Sequence, residues 1–397
     1  MNQALSELLV PDHVPRELVI DFDAASDVAL TFDIFKRMDE LRNSSPPIAY
    51  SPHGGGHWLL FREKDILKAF SDGDHFSTSL FNAGAQEGAP DMIPLCLDPP
   101  EHLPWRMTIV RHLTPTKMRR LEDFIRQKAE SLITPLVGQK SCDFVSAVAE
   151  PMPISIFMAL MGLPAEGFDE FRSLALQIIS PEGNDRNTPA TAAANARILA
   201  ILSELIEARR LEPKDDLVSA LIDEKVKGEA ISAKGLLSIC YVLFLGGLDT
   251  VVNAMSYGMR YLAQQPELQD EARAGLVAMP DLVEKLLRKS AFVNPMRIVK
   301  QDVEIEGVTL KAGDLVWSMC WPASNEPGGD GEGQKHLTFG GGHHLCAGMH
   351  LARLELRIMY ETWFRYIGPF ALAPDVGPTM TGGSTMLIKR LLLNLQP

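Results

Sequence analysis

The residues most able to do chemistry are concentrated in one run, Phe339-Gly-Gly-Gly-His343-His344-Leu-Cys346-Ala-Gly348. Three consecutive glycines, with a fourth two residues after the cysteine, let backbone approach a flat ligand where any Cβ would collide with it. A cysteine in such a loop can bind metal. Leu351, Leu354, Ile358 and residues 360–363 recur at three- and four-residue steps, which predicts a helix beginning at Cys346 and running to about Tyr366. Its first-turn N–H groups and positive dipole end favour a thiolate over a thiol. Blander readings are a small buried cysteine or a phosphate-binding glycine turn. Zinc is disfavoured, because His343, His344, His350 and Cys346 supply one thiolate and no paired Cys-x-x-Cys.

Two further stretches carry chemistry. Ser232 to Gln264 reads as one helix of roughly 50 Å, with Ser232 as its N-cap and Leu245-Gly246-Gly247-Leu248-Asp249-Thr250 at its middle. Each interior glycine costs about 1 kcal/mol, so either close helix packing or function must account for the pair. Asp249 beside Thr250 places a carboxylate next to a hydroxyl, an economical proton relay where bulk water has to be excluded. In Asp98-Pro-Pro-Glu-His102-Leu-Pro-Trp-Arg106, a helix puts His102 and Arg106 four residues apart on one face, two donors that suit a carboxylate. A surface pair is the alternative, and Pro104 is tolerable in a first turn.

Together these stretches resemble the cytochrome P-450 superfamily. The signature Phe-Gly-x-Gly-x-His/Arg-x-Cys-x-Gly is met at Phe339, Gly340, Gly342, His344, Cys346 and Gly348. Gly-Gly-x-Asp-Thr is similar to the family's oxygen-binding groove, and Asp-Pro-Pro-x-His-x-x-x-Arg to its propionate-binding segment. The likeness runs from about residue 30 to the end and is nearest the bacterial camphor-hydroxylase branch. It implies a mainly α fold with a smaller β-rich region, a triangular prism-like helical bundle. Haem b (iron protoporphyrin IX) is expected between the Ser232 to Gln264 helix and the Cys346 helix. Residues 1–28 would be an irregular surface segment and 29–397 a single domain. Cys346 becomes the expected iron ligand, its electron donation favouring O–O cleavage. His102, Arg106, Gly246, Arg297, Phe339, His344 and Gly348 become cofactor-binding residues, with His102, Arg106 and Arg297 on propionates. Thr250 and Asp249 become the catalytic hydroxyl and its proton relay.

The implied reaction inserts one atom of dioxygen into an unactivated C–H bond, with two electrons from outside. No Gly-x-Gly-x-x-Gly lies between a strand and a helix, so the nicotinamide should bind elsewhere. Electrons would come from a [2Fe–2S] ferredoxin with a separate reductase, docking near Arg106, Arg111, Arg119 and Arg120. Phe81, Met92, Val242, Leu245 and Val293 are the substrate-facing candidates. All are apolar, which suits a small terpenoid or norisoprenoid such as an ionone- or camphor-like compound. The tyrosine that anchors a ketone in the camphor branch is missing between Phe76 and Leu97, where Pro90 stands near its position, which disfavours camphor itself and leaves a more apolar compound open. A peroxide-dependent haem-thiolate enzyme and a non-catalytic haem- or ligand-binding protein are the alternatives.

The chain departs from the family at one network. Lys285-Leu-Leu-Arg288 occupies the place of Glu-x-x-Arg, with lysine for glutamate, and Glu284 would point about 100° away on a helix. The segment after Ala323 is short, and the arginine that usually joins the pair is missing. Since a buried arginine without a carboxylate is costly, Glu284, Asp330 or Glu332 is expected to reach Arg288.

Bulk properties set outer limits. The chain has 397 residues, 46% apolar and 22% charged, enough for one large or two ordinary domains. The longest apolar run, near residues 241–248, is too short to span a bilayer and is interrupted by Gly246 and Gly247. The N-terminus lacks a basic region before its brief apolar stretch, so a cytoplasmic protein is expected. Five separated cysteines do not resemble a disulfide framework. A net charge of −13 argues against nucleic acid as a partner. Periodicity predicts helices over 32–41, 117–136, 144–163 (broken near Pro151 and Pro153), 168–179, 192–210, 217–222 and 281–292. It predicts a hairpin over 48–62, in which His53 and His57 are turn residues, and strands over 303–317.

Overall fold

Side-chain caps open helices at Asp33, Thr188, Asp216 and Ser232 in the computed structural model, which describes residues 9–80, 91–179, 188–326, 335–374 and 379–395. The chain forms two compact units, one of residues 1–80, 284–346 and 375–389, the other of 81–283, 347–374 and 390–397.

The first unit is built on a five-stranded sheet. Its strands are β1 (Ile48–Ser51), β2 (His57–Leu60), β3 (Phe76–Ser77), β4 (Met296–Val299) and β5 (Leu315–Ser318), in the order β1-β2-β5-β4-β3. β1 and β2 form the predicted hairpin, with Ile48 opposite Leu60 and Ser51 opposite His57. β5 runs parallel to β2 and antiparallel to β4. Every residue of β1 and β2 is buried, so these strands lack the alternation of a half-solvated sheet. His57 is accordingly a strand residue and not a turn residue. Its ring lies edge-on to Trp317 at 4.8 Å, and burial pulls its pKa down to about 4. His53 does sit in the turn, bonded to Asp21 Oδ1 at 2.9 Å. The hairpin Val303–Ile305 to Val308–Leu310 turns on Glu306 and Gly307, both at positive φ, as a two-residue loop requires.

Of the N-terminal segment, residues 9–28 are described; they hold one 3₁₀ turn, Arg16–Leu18, and they do not merely lie on the surface. Val10, Val14 and Phe22 are buried, and Val19 bridges to Tyr50. The predicted helix near 32–41 starts later, at Ile34, because the Asp33 side chain accepts the Lys36 N–H and caps it. A helix over Glu63–Ser71 escaped the sequence reading.

The second unit is mainly helical. The helices Phe168–Ile179 and Leu217–Ile222 match their predicted spans, while the 117–136 prediction divides into Pro115–Met118, a 3₁₀ turn and Glu122–Ile133. Pro151 opens a helix that follows one π-helical turn. Its centre is the 31-residue helix Ala233–Ala263, whose N-cap Ser232 accepts the Gly235 N–H at 3.1 Å. Among the described residues this helix alone is long and apolar enough to cross a membrane, more than the short run at 241–248 suggests, yet over half of its most apolar stretch is buried in the protein. Phe244 from this helix meets Phe171 and Phe157 at 5.6 and 6.0 Å between ring centres. A three-stranded sheet, Phe370–Leu372, Leu392–Leu395 and Ser141–Asp143, completes the unit.

The glycines of the long helix differ in purpose. A Cβ on Gly235 would stand 2.9 Å from Trp105 and 3.0 Å from Ile231, so this glycine seats the helix His102–Val110 against the long one. A Cβ on Gly246 would meet nothing within 4 Å. Close packing therefore does not explain Gly246. Gly246→Ala should stabilise the protein toward guanidinium by about 1 kcal/mol through helix propensity alone. Gly235→Ala should destabilise it by roughly 1–3 kcal/mol through overpacking.

Glu355, in the helix Met349–Tyr366, is 2% exposed and its Oε2 has no hydrogen-bond partner among the described residues. Burial pushes its pKa well above the usual carboxyl range. Between the unfolded and folded values the native state binds the extra proton, so stability falls as pH rises through that window. Glu355→Gln should raise the melting temperature by a few degrees near neutral pH, with the gain shrinking below about pH 4, as scanning calorimetry across pH will show.

Candidate functional site

The cysteine loop is held by its own backbone and by the helix Glu63–Ser71 in the same unit. Gly340 N–H bonds Leu337 O at 2.8 Å, and Cys346 N–H bonds Phe339 O at 2.9 Å, closing the loop around residues 342–344. Gly340 and Gly342 have φ of +69° and +60°, a region side chains avoid. A Cβ on Gly342 would lie 2.1 Å from the Phe70 carbonyl oxygen, and one on Gly341 3.2 Å from the Leu67 and Phe70 side chains. The expectation that the glycines admit a flat ligand is thus corrected in part. Gly341 and Gly342 admit the neighbouring helix, whereas a Cβ on Gly340 would meet nothing within 4 Å among the described residues.

A second correction concerns the helix after the cysteine. It begins at Met349, with Gly348 as its N-cap residue, so Cys346 precedes it by three residues and does not sit in its first turn. Cys346 is half-buried. Burial pushes Cys142 up to about 11 and Cys240 and Cys320 up to about 12, which keeps those three as thiols. No disulfide joins any of the five cysteines.

Phe70 also reaches the third expected cation. The Arg297 guanidinium lies 5.0 Å from the Phe70 ring centre, is 5% exposed and donates to Met296 O at 2.8 Å. One aromatic residue thus supports both the loop and the arginine. Nothing in the sequence marks Phe70, because its partners are some 230 and 270 residues away. His344 Nε2 lies 3.3 Å from Thr78 Oγ1, and His343 Nε2 lies 3.0 Å from Ser71 O. Phe339 and Val293 are half-buried, and Val293 forms a bridge with Thr385.

In the second unit, His102 and Arg106 do share a helix, His102–Val110, with His102 at 2% exposure. Val242, Leu245, Gly246, Asp249 and Thr250 lie on the partly accessible side of the long helix, whereas Tyr241, Phe244, Leu248 and Val251 are buried. The helix is continuous through this region. Thr250 Oγ1 donates to Gly246 O at 2.7 Å. The Asn253 amide donates to Asp249 O at 2.7 Å and to Asp249 Oδ1 at 2.9 Å, a partner the sequence reading passed over. Met92 is half-buried, and Phe81 lies outside the described residues.

At the departure from the family pattern, Glu284 Oε2 lies 3.2 Å from His336 Nε2, a partner not foreseen. Lys285 forms no hydrogen bond or ion pair among the described residues. Asp330 and Glu332 lie outside them.

The comparisons with known proteins agree with this geometry. A family model described as cytochrome P450 matches residues 189–281. A protein of Sinorhizobium fredii named probable cytochrome P450 127A1 is 29% identical over 97% of this chain and 96% of its own. Linalool 8-monooxygenase of Pseudomonas putida is 27% identical over 83% and 87%. Among solved structures, CYP101J2 is 32% identical with a TM-score of 0.87, and cytochrome P450 CYP101C1 is 30% identical with 0.89, each covering 98% of this chain and all of its own. With its thiol loop, its Asp-Thr helix and this end-to-end likeness, the chain belongs to the cytochrome P450 family of haem-thiolate oxidoreductases.

Proposed function

We propose that this P450 monooxygenase hydroxylates a small apolar substrate of the terpenoid or norisoprenoid class with electrons from a [2Fe–2S] ferredoxin. The observation that carries the reading is the accessible side of the long helix. There the apolar Val242 and Leu245 adjoin Gly246, where a Cβ would find open space, and the Asp249–Thr250 pair. An apolar stripe ending in one hydroxyl and one carboxylate suits a substrate held by shape beside a proton-delivering group. The activity named for the linalool monooxygenase points to the same substrate class.

The residues present fit haem. Among the described residues no three His, Cys, Asp or Glu side chains gather as a metal site. Cys346 would be the one protein ligand to the haem iron. His102, Arg106 and the buried Arg297 would hold propionates by charge-assisted hydrogen bonds. Gly340 leaves its side of the loop free of Cβ atoms, and Phe339, His344, Gly348 and Gly246 would border the ring. Haem, when bound, supplies the activation of dioxygen.

The protein's own part is to hold substrate, exclude water and move protons. The Thr250 hydroxyl, which donates to Gly246 O, would exchange a proton on the accessible side of the helix. Asp249, steadied by Asn253, would return that proton from solvent. Arg106, Arg119 and Arg120 form the proposed ferredoxin face; Arg111 contributes less, since Glu224 Oε2 neutralises it at 2.9 Å. A cytoplasmic setting accords with five cysteines outside any disulfide.

Titration of the haem-loaded protein with linalool, an ionone and a long-chain fatty acid tests the substrate class by displacement of the Soret band. The terpenoids should shift it, and a shift with the acid alone would move the proposal to lipids. With the best ligand, Thr250→Ala should keep oxygen consumption within about threefold while product per oxygen falls about tenfold or more and peroxide accumulates. Unchanged coupling would remove Thr250 from the relay.

A further inference from the structure

We infer that His336, through its bond to Glu284, is the positioning residue that fixes the cysteine loop in this chain, in place of the carboxylate absent at Lys285. The inference rests on the reading of Cys346 as the iron ligand.

The geometry begins at the end of the helix Met279–Lys289. Its last carbonyls are satisfied one after another by side chains from elsewhere in the unit. Leu287 O accepts the Thr338 hydroxyl at 2.7 Å, Arg288 O the Asn325 amide at 3.0 Å, and Lys289 O the Trp321 indole N–H at 2.9 Å. Ser324 Oγ takes the Leu337 N–H at 2.9 Å. Residues 336–338, which lead directly into Phe339 and the glycines, are therefore fastened to that helix end and to the segment 321–325.

His336 sits at the head of this fastening with its side chain 6% exposed. Its Nδ1 accepts the Thr338 N–H at 3.3 Å, and its Nε2 faces Glu284 Oε2 at 3.2 Å. An acceptor at Nδ1 places the ring proton on Nε2, so one neutral tautomer makes both bonds. The ring also lies 5.8 Å from the Phe339 ring, and the Phe339 carbonyl is the acceptor for Cys346 N–H. The path from Glu284 to the sulfur thus passes through His336, Phe339 and one backbone bond. Glu284 stands one residue before the usual position and turned away from it. A histidine on the incoming strand of the loop meets it there, which is what lets lysine occupy position 285.

The test measures haem transfer to an excess apo-acceptor, together with the ferrous carbonyl spectrum and calorimetric unfolding. Glu284→Ala and His336→Ala should each speed haem loss about tenfold, the usual cost of removing a group behind a metal ligand. Each should also convert part of the carbonyl adduct from the thiolate type to another. The double variant should be no worse than either single one, and Glu284→Gln, whose amide oxygen still accepts from Nε2, should restore both readouts. Glu284 is 44% exposed, so its variants should fold even if His336→Ala does not. Additive effects, unchanged haem loss in Glu284→Ala, or failure of Glu284→Gln to rescue would overturn the inference. A wild-type protein without a thiolate carbonyl adduct would instead overturn the reading on which it rests.

Discussion

The protein depends on one close approach between two backbones. Cys346 is placed by a loop that can form only if residue 342 has positive φ and no side chain, because the Phe70 carbonyl occupies the space a Cβ would take. The loop is therefore pressed onto the helix Glu63–Ser71, and the sulfur's position follows from that helix as much as from the cysteine's own neighbours. Phe70 extends the same support to Arg297. The proposed iron ligand and one of the proposed propionate cations thus share one support, as a site requiring preorganisation needs.

The long helix shows the complementary constraint. Most of its surface is core, packed through Phe244, Leu248 and Met255, and its N-terminus is seated by Gly235 against Trp105. That burial carries the cost of the one stretch in which good helix design is broken. Gly246 gives up helix propensity without a packing gain, and Thr250 spends its hydroxyl on Gly246 O. Local rules broken inside an otherwise consistent helix are where function is expected to sit.

Much of this was legible in the sequence wherever the signal was local. The cap Ser232, the hairpin over 48–62 and the periodicity of 168–179 placed their elements well, and the motifs alone singled out Cys346, the His102–Arg106 pair and Asp249–Thr250 as candidates. What failed was non-local or hung on a single residue. The helix after the cysteine starts at Met349, and nothing in an apolar period reports where Gly348 ends the loop. The glycine run read as clearance for a ligand, because its real neighbour, Phe70, lies some 270 residues earlier. The meeting of Glu284 with His336, some 50 residues on, was equally invisible, because folding and not sequence spacing brings the two together.

The central claim is that Cys346, as an anionic sulfur, is the protein's ligand to haem iron. Reduction of the freshly purified, haem-loaded protein under carbon monoxide addresses it directly. A red-shifted, thiolate-type carbonyl Soret band, lost in Cys346→His with haem retained, is the expected result. An imidazole-type band in the wild-type protein, or a thiolate-type band that survives replacement of Cys346, would contradict the account.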